Sequence, residues 1–186
     1  MLSQRMQSAL NAQINAEMWS AYLYLSMSMS AADKGMKGVA NWFAVQFKEE
    51  QDHAQIIINY LLSRGGRVLL EPIAAVDTEW ESVLAMFEQT LVHEKKVTAM
   101  INDLYNIAID EKDHATRSML TWFIDEQVEE EDSARDIIDQ LRMIDCNKLG
   151  LYMIDKEMAT RVYSAPAPCQ SYTDRACCSQ SCEVGR

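Results

Sequence analysis

Residues that break helices are what this sequence has least of: 6 glycines and 3 prolines among 186 residues. A fold of many short strands needs frequent turns, and turns draw heavily on Gly and Pro, so their scarcity argues against that class. Alternating Thr and Val runs are also rare, while 12 methionines, unbranched and tolerant of helices, are present. No stretch approaches the ~20 consecutive apolar residues that span a bilayer. Met1 to Leu10 shows no basic region followed by an apolar run, so neither a membrane partner nor a signal peptide is expected. Positive charge is in deficit, with 17 basic against 28 acidic residues and a net charge of −11. That balance excludes a nucleic-acid footprint and suits a protein that gathers cations. Cysteine is nearly missing from the body, which holds only Cys146. The other four, Cys169, Cys177, Cys178 and Cys182, fall in the last 18 residues. A disulfide framework would distribute them, so a reducing, cytoplasmic setting is expected.

What remains is a chain 48% apolar, enough for one core. Apolar side chains recur at helical spacing in four long segments, and the fold class that follows is all-α. The first segment, about 3–32, carries Leu10, Ile14, Ala21 and Tyr24 on one face and ends near Gly35. The second, about 37–64, aligns Val39, Phe43, Ile57 and Leu61 and stops at Gly65 and Gly66. Residues 67–77, with Pro72, are too many for a tight turn and read as a crossover along the bundle. Thr78 and Glu81 have capping-box spacing and are expected to open a third helix over about 79–110, with Val83, Phe87, Val97, Ile101, Leu104 and Ala108 inward. The fourth, about 113–144, presents Leu120, Phe123, Ala134, Ile137 and Leu141. A short fifth helix is expected at about 147–159. The domain should therefore end near residue 160, followed by a flexible Cys-rich tail over 161–186. At ~1.5 Å per residue the four long segments match in length, giving a four-helix bundle with one long crossover.

The seams are interrupted by the wrong kind of side chain. Stepping by three and four puts Glu17 on the face of Leu10, Ile14 and Tyr24. It puts Gln46, Glu50 and His53 between Phe43 and Ile57, Glu94 between Thr90 and Val97, and Gln127 with Glu130 between Phe123 and Ala134. Every helix thus turns a carboxylate inward, and no Lys or Arg stands on those seam positions. Burying a carboxylate costs several kcal/mol, on the order of ~5, unless it is paired or bound to a cation. A metal ion is the partner that four converging acids would need. The Glu50-x-x-His53 step sets two ligands one turn apart, and Glu50 is the natural bridge between two cations. Oxygen donors with a single imidazole suit Fe(II) or Mn(II) better than Cu(I) or a Cys-rich zinc site. Glu49, Glu126 and Glu129 flank these positions and read either as a wet acidic face or as a third, weaker cation site. Tyr24 can hydrogen-bond a ligand, supply an electron, or simply be a core tyrosine.

On Asn15-Ala16-Glu17 with Tyr24, Glu49-Glu50-Gln51-Asp52-His53, His93-Glu94, Glu126-Gln127-Val128-Glu129-Glu130-Glu131 and Gly150-Leu151-Tyr152-Met153-Ile154-Asp155-Lys156-Glu157, the chain resembles the bacterial non-haem ferritin family. The resemblance covers about residues 1–160 and implies a ferritin-like four-helix bundle. It implies that Glu17, Glu50 and His53 hold one iron, and that Glu94 and Glu130, with Glu50 bridging and Gln127 nearby, hold a second. Glu49, Glu126, Glu129 and Glu130 resemble the family's third site. It further implies ferroxidase chemistry on Fe2+ with O2 or H2O2, and a homo-oligomeric 24-subunit shell storing ferric oxyhydroxide. Neighbouring groups fit less well. No Met lies between Met36 and Met86 to hold a haem as in bacterioferritins, so no haem is expected, and Gln127-x-x-Glu130 stands where those proteins have a second Glu-x-x-His. The tail lacks the Cys-x-x-Cys pairs of rubrerythrins, and the inward acids lost from animal light-type subunits are all kept. The competing readings are a di-iron peroxidase of low oligomeric state without storage, and a purely structural bundle. The tail's length and cysteine content depart from the family.

Overall fold

Among the described residues, four of the five helices start where a small polar side chain can take the free amides of the first turn. The computed structural model describes residues 2–145 and 147–166. Ser3 accepts from Met6 N ahead of α1 (Gln4–Asp33), and Ser82 accepts from Ala85 N ahead of α3 (Val83–Asp110). Asp113 accepts from Thr116 N ahead of α4 (His114–Met143), and Asn147 accepts from two amides ahead of α5 (Lys148–Met158). The exception is α2 (Lys37–Ser63), whose N-cap residue Met36 offers no side-chain acceptor. Its cap comes from far along the chain: Oδ1 of Asp155 in α5 accepts from Gly38 N at 2.7 Å and Val39 N at 3.0 Å. This seat needs glycine at position 38, because a Cβ there would stand 1.5 Å from the carbonyl oxygen of Asp155. Gly35 and Gly65 close α1 and α2 with φ of 78° and 73°, in the left-handed region.

The chain runs up α1, down α2, back up through residues 64–82, down α3 and up α4, so α2 and α3 are parallel. The long return is laced to α1. Gln7 Oε1 accepts from Arg67 N, Asn11 binds Arg67 O and Leu69 N, Asn15 donates to Glu71 O, and Ser26 donates to Asp77 O at 2.7 Å. Gln7 and Ser26 lie nineteen positions apart along α1, about 28 Å of helix at ~1.5 Å per residue. At the lower end Arg64 pairs with Asp113 at 3.2 Å, tying the end of α2 to the start of α4.

Two expectations need correction. The third helix opens at Val83, capped by Ser82, and not at Glu79 through Thr78. Trp80 explains the delay. Its ring is buried, its indole N–H donates to Gln89, and its carbonyl accepts from Lys34. These tertiary anchors hold 78–81 out of the helix. In α4 the inward residue after Ala134 is Ile138, with Ile137 only half-buried. A straight helix drifts ~20° per heptad against a strict seven-residue repeat, enough to move the seam by one position. The Cys-rich tail with Cys169, Cys177, Cys178 and Cys182, and Cys146, lie outside the described residues.

The core is divided. Leu23, Tyr24, Met27, Phe43, Phe87 and Ile138 belong to an upper apolar block. Met6, Leu10, Ile57, Leu61, Ile101 and Phe123 belong to a lower one. Among the described residues no helix is long and apolar enough to cross a membrane.

Candidate metal centre

Between the two blocks lies a layer of buried polar side chains. Glu17 and Glu94 are 1% exposed, Glu50 and His53 2%, Gln127 4% and Glu130 7%. Gln13 and Gln46 join them, and among the described residues no Lys or Arg is buried there. Glu17 comes from α1, Glu50 and His53 from α2, Glu94 from α3, Gln127 and Glu130 from α4. The layer forms because each helix carries one polar turn at the same height in an otherwise apolar stripe.

Glu17, Glu50 and His53 each offer a ligand atom within 4.8 Å of the other two. His53, Glu126 and Glu130 form a second such group. His53 lies in both, with Nδ1 at 3.5 Å from Oε2 of Glu50 and Nε2 at 3.9 Å from Oε1 of Glu126. Its ring is held edge-on by Trp122 and Phe123, with centroids at 5.4 and 5.9 Å. Glu94 belongs to neither tight group. Its Oε1 accepts from the Tyr24 phenol and its Oε2 from Gln127 Nε2 at 3.2 Å. Glu130 Oε2 accepts from Gln46 Nε2 at 2.6 Å, and Glu17 Oε1 from Gln13 Nε2 at 2.9 Å.

Burial dominates the acids' titration. It pushes Glu94 up to about 7 against the hydrogen bonds from Tyr24 and Gln127. Glu50 is raised well above the carboxylate range by burial and by the charges of Glu94 and Glu17. Glu130 is raised likewise by burial, Glu94 and Glu50. Glu17 rises through burial, with His53 pulling the other way. Tyr24 is also held far up, by burial and the acids around it. Such mutual repulsion is what a bound divalent cation would remove.

Does the donor set fit a metal? Oε2 of Glu17 and Oε1 of Gln46 are buried with no hydrogen-bond partner. Two orphaned acceptors in a layer short of donors are ready for a cation. The donors are carboxylate and amide oxygens with one imidazole, a set suited to Fe(II) or Mn(II). Glu49 and Glu126 are half-buried and Glu129 is exposed, all three bordering an open cleft of about 290 Å³ that reaches His53. The rest of the acidic run is taken: Glu131 accepts from Thr98 and pairs with Arg135, which also meets Asp132.

Three neighbours of the layer were given no role in the sequence reading, although His93 stood in one of its motifs. Gln13 was readable, since it stands four residues before Glu17 on the same helix face. His93, half-buried, hydrogen-bonds Ser20 at 2.7 Å and lies beside Trp19 and Tyr24; burial lowers it to about 4, so it is neutral. Arg161, whose Nη2 sits 2.6 Å from Oε2 of Glu49, carried no local signal at all.

A sequence model described as the ferritin-like domain matches residues 7–144. The chain is 40% identical over 161 residues to a bacterial non-heme ferritin of Bacteroides fragilis, covering 87% of this chain and all of that one. It is 41% identical over 165 residues to one of Staphylococcus haemolyticus, covering 88% and 98%. Among solved structures, an open pore ferritin from Archaeoglobus fulgidus superposes with a TM-score of 0.86 at 46% identity, covering 87% of this chain and 100% of that one.

Proposed function

Because this chain belongs to the ferritin family, we propose that it is an iron-storage ferroxidase whose substrate is Fe2+ and whose oxidant is O2 or H2O2. The observation that carries the reading is the polar layer: four inward acids and one imidazole from four helices, with no Lys or Arg buried among them in the described residues. Glu17, Glu50 and His53 are proposed to hold one Fe2+. Glu94 and Glu130 are proposed to hold the other, with Glu50 between them and Gln127 alongside. Glu49, Glu126 and Glu129 border the third, weaker position. Each Fe2+ yields one electron, so a pair can pass two to O2, which takes up two protons to leave as H2O2. With H2O2 as oxidant the same two electrons and two protons give two waters. The protein contributes ligands of flexible charge, a dry pocket, and Tyr24 as the donor that keeps Glu94 aimed inward.

The Fe3+ formed would move toward an acidic inner surface and accumulate as ferric oxyhydroxide inside a homo-oligomeric 24-subunit shell in the cytoplasm. No haem takes part in this scheme. Anaerobic Fe2+ loading followed by O2 should give rapid oxidation that Glu50→Ala and His53→Ala abolish. An unchanged fast phase in both variants would overturn the assignment. Electron microscopy of iron-loaded protein should show round shells with dense centres, and particles of one or two subunits would favour the non-storing peroxidase.

A further inference from the structure

After α5 the chain does not leave the bundle but turns along α2. Asn41 Nδ2 donates to Met158 O at 3.2 Å and to Arg161 O at 2.9 Å. The Arg161 guanidinium lies over the Trp42 ring at 4.5 Å and donates to Trp42 O at 3.3 Å, while its other end reaches Glu49. Two residues on, the Tyr163 phenol donates to Asp52, and Lys48 lies 5.5 Å over its ring. Positions 41, 42, 48, 49 and 52 share one face of α2 and span about 16 Å at ~1.5 Å per residue. The run ends where residues 164–166 form one wall of the cleft whose other side is Glu49, His53, Trp122, Glu126 and Glu129.

We propose that residues 159–166 are a strap across the acidic mouth beside His53, in which the Arg161 guanidinium occupies the Glu49 carboxylate that a cation would otherwise use. Arg161 is then a residue that sets cation occupancy: it acts on the mouth through Glu49 and touches neither substrate nor the buried ligands. Its hold is selective, because a planar guanidinium stacked on Trp42 and bonded to a carboxylate is a strong pairing that a surface Lys would not reproduce. The strap competes with the cation for one acid; among the described residues no Lys or Arg pairs with Glu126 or Glu129, and Glu126 meets only the His53 ring, at 3.9 Å. Arg161 Nη2 sits 2.6 Å from Oε2 of the half-buried Glu49, so removing the arginine leaves that acid without its basic partner. This inference rests on reading the buried layer as a cation centre.

The test uses the full chain and Co2+, which reports ligation by its visible absorbance and needs no oxidant. Arg161→Met keeps an aliphatic stem on Trp42 without the charge, and Arg161→Lys keeps a charge. The pair Asn41→Ala and Tyr163→Phe loosens the strap while leaving every acid and Arg161 in place. Arg161→Met and the loosened variant should bind Co2+ roughly three- to tenfold faster at low salt than the wild type and take up one more ion per subunit. Arg161→Lys should fall between. The rate difference should shrink near ~0.5 M salt, where the Debye length is only a few ångström. Wild-type rate and stoichiometry in both Arg161→Met and the loosened variant would overturn the strap. A wild-type protein that takes up no Co2+ would instead overturn the cation centre beneath it.

Discussion

Tyr24 on α1 and Glu94 on α3 meet in the interior, the phenol donating to Oε1 of the carboxylate. Both are buried, and Gln127 from α4 takes the other oxygen of the same acid. Three helices therefore fix one carboxylate, while Glu17, Glu50 and His53 group on the remaining side of the layer. The two halves of the centre are held by different means, and they should respond differently to substitution.

Tyr24→Phe is expected to weaken the Glu94 half alone. Losing a hydrogen bond to a charged acceptor removes about 1.5–3 kcal/mol, so the second cation should bind roughly ten- to a hundredfold more weakly. The first should keep its affinity. Anaerobic calorimetric titration with Fe2+ resolves the two steps, and equal weakening of both would count against separate anchoring.

The metal-free protein should lose stability as the pH rises. Burial holds Glu94 at about 7 against 4.5 for an ordinary glutamate, and Glu50 and Glu130 are shifted in the same direction. Between those values the folded chain binds more protons than the unfolded one. Its stability from these groups is thus full below about 4.5 and is lost as the pH passes through the folded values. Melting temperature should drop by several degrees, on the order of ~5 °C, between pH 5.5 and 8, and saturating Zn2+ should flatten the slope. A flat or rising profile without metal would contradict the burial argument.

Glu50→Gln should separate stability from binding. The amide keeps the shape and removes the charge that repels Glu17 and Glu94. Wherever the pH is high enough to ionise Glu50, the metal-free variant should melt higher than the wild type by a few degrees, about 1 kcal/mol or more, since relieving unpaired buried charge is stabilising. The same variant should forfeit most of the cation-induced rise in melting temperature. Thermal scans with and without Zn2+ measure both effects.

Gly38→Ala should displace α5. The added Cβ collides with the Asp155 backbone at 1.5 Å, so α5 must lift and its cap on α2 must break. Overpacking and cap loss together should cost about 2–4 kcal/mol in denaturant unfolding. Hydrogen exchange should show 148–158 opening before the four long helices, whereas Asp155→Asn, which keeps an acceptor, should cost less than half as much.

The buried acids were legible because each interrupts a periodic apolar stripe, a signal that needs only the residue's own helix. Glu17 is inward because Leu10, Ile14 and Tyr24 are, and Glu94 because Thr90 and Val97 are. What failed to show was set between elements. Thr78 had the right spacing for a cap, yet Trp80 is pinned by Lys34 and Gln89, so the helix waits until Ser82. Ile138 is the fully buried residue of its turn and Ile137 packs half-buried against the same block, through the mismatch between seven residues and two turns. Asp155 capping α2 and Arg161 bridging to Glu49 join positions more than a hundred residues apart, and nothing in either neighbourhood announces them.

The division of the interior into two oily blocks with a hydrophilic belt between them also governs how the helices may slide. A shift of α1 by one turn, ~5.4 Å, would carry Glu17 into hydrocarbon and bring an aliphatic side chain opposite His53. Either neighbour alone would tolerate several alignments of a smooth greasy stripe. The belt admits one. By that restriction the belt sets the relative height of the four helices.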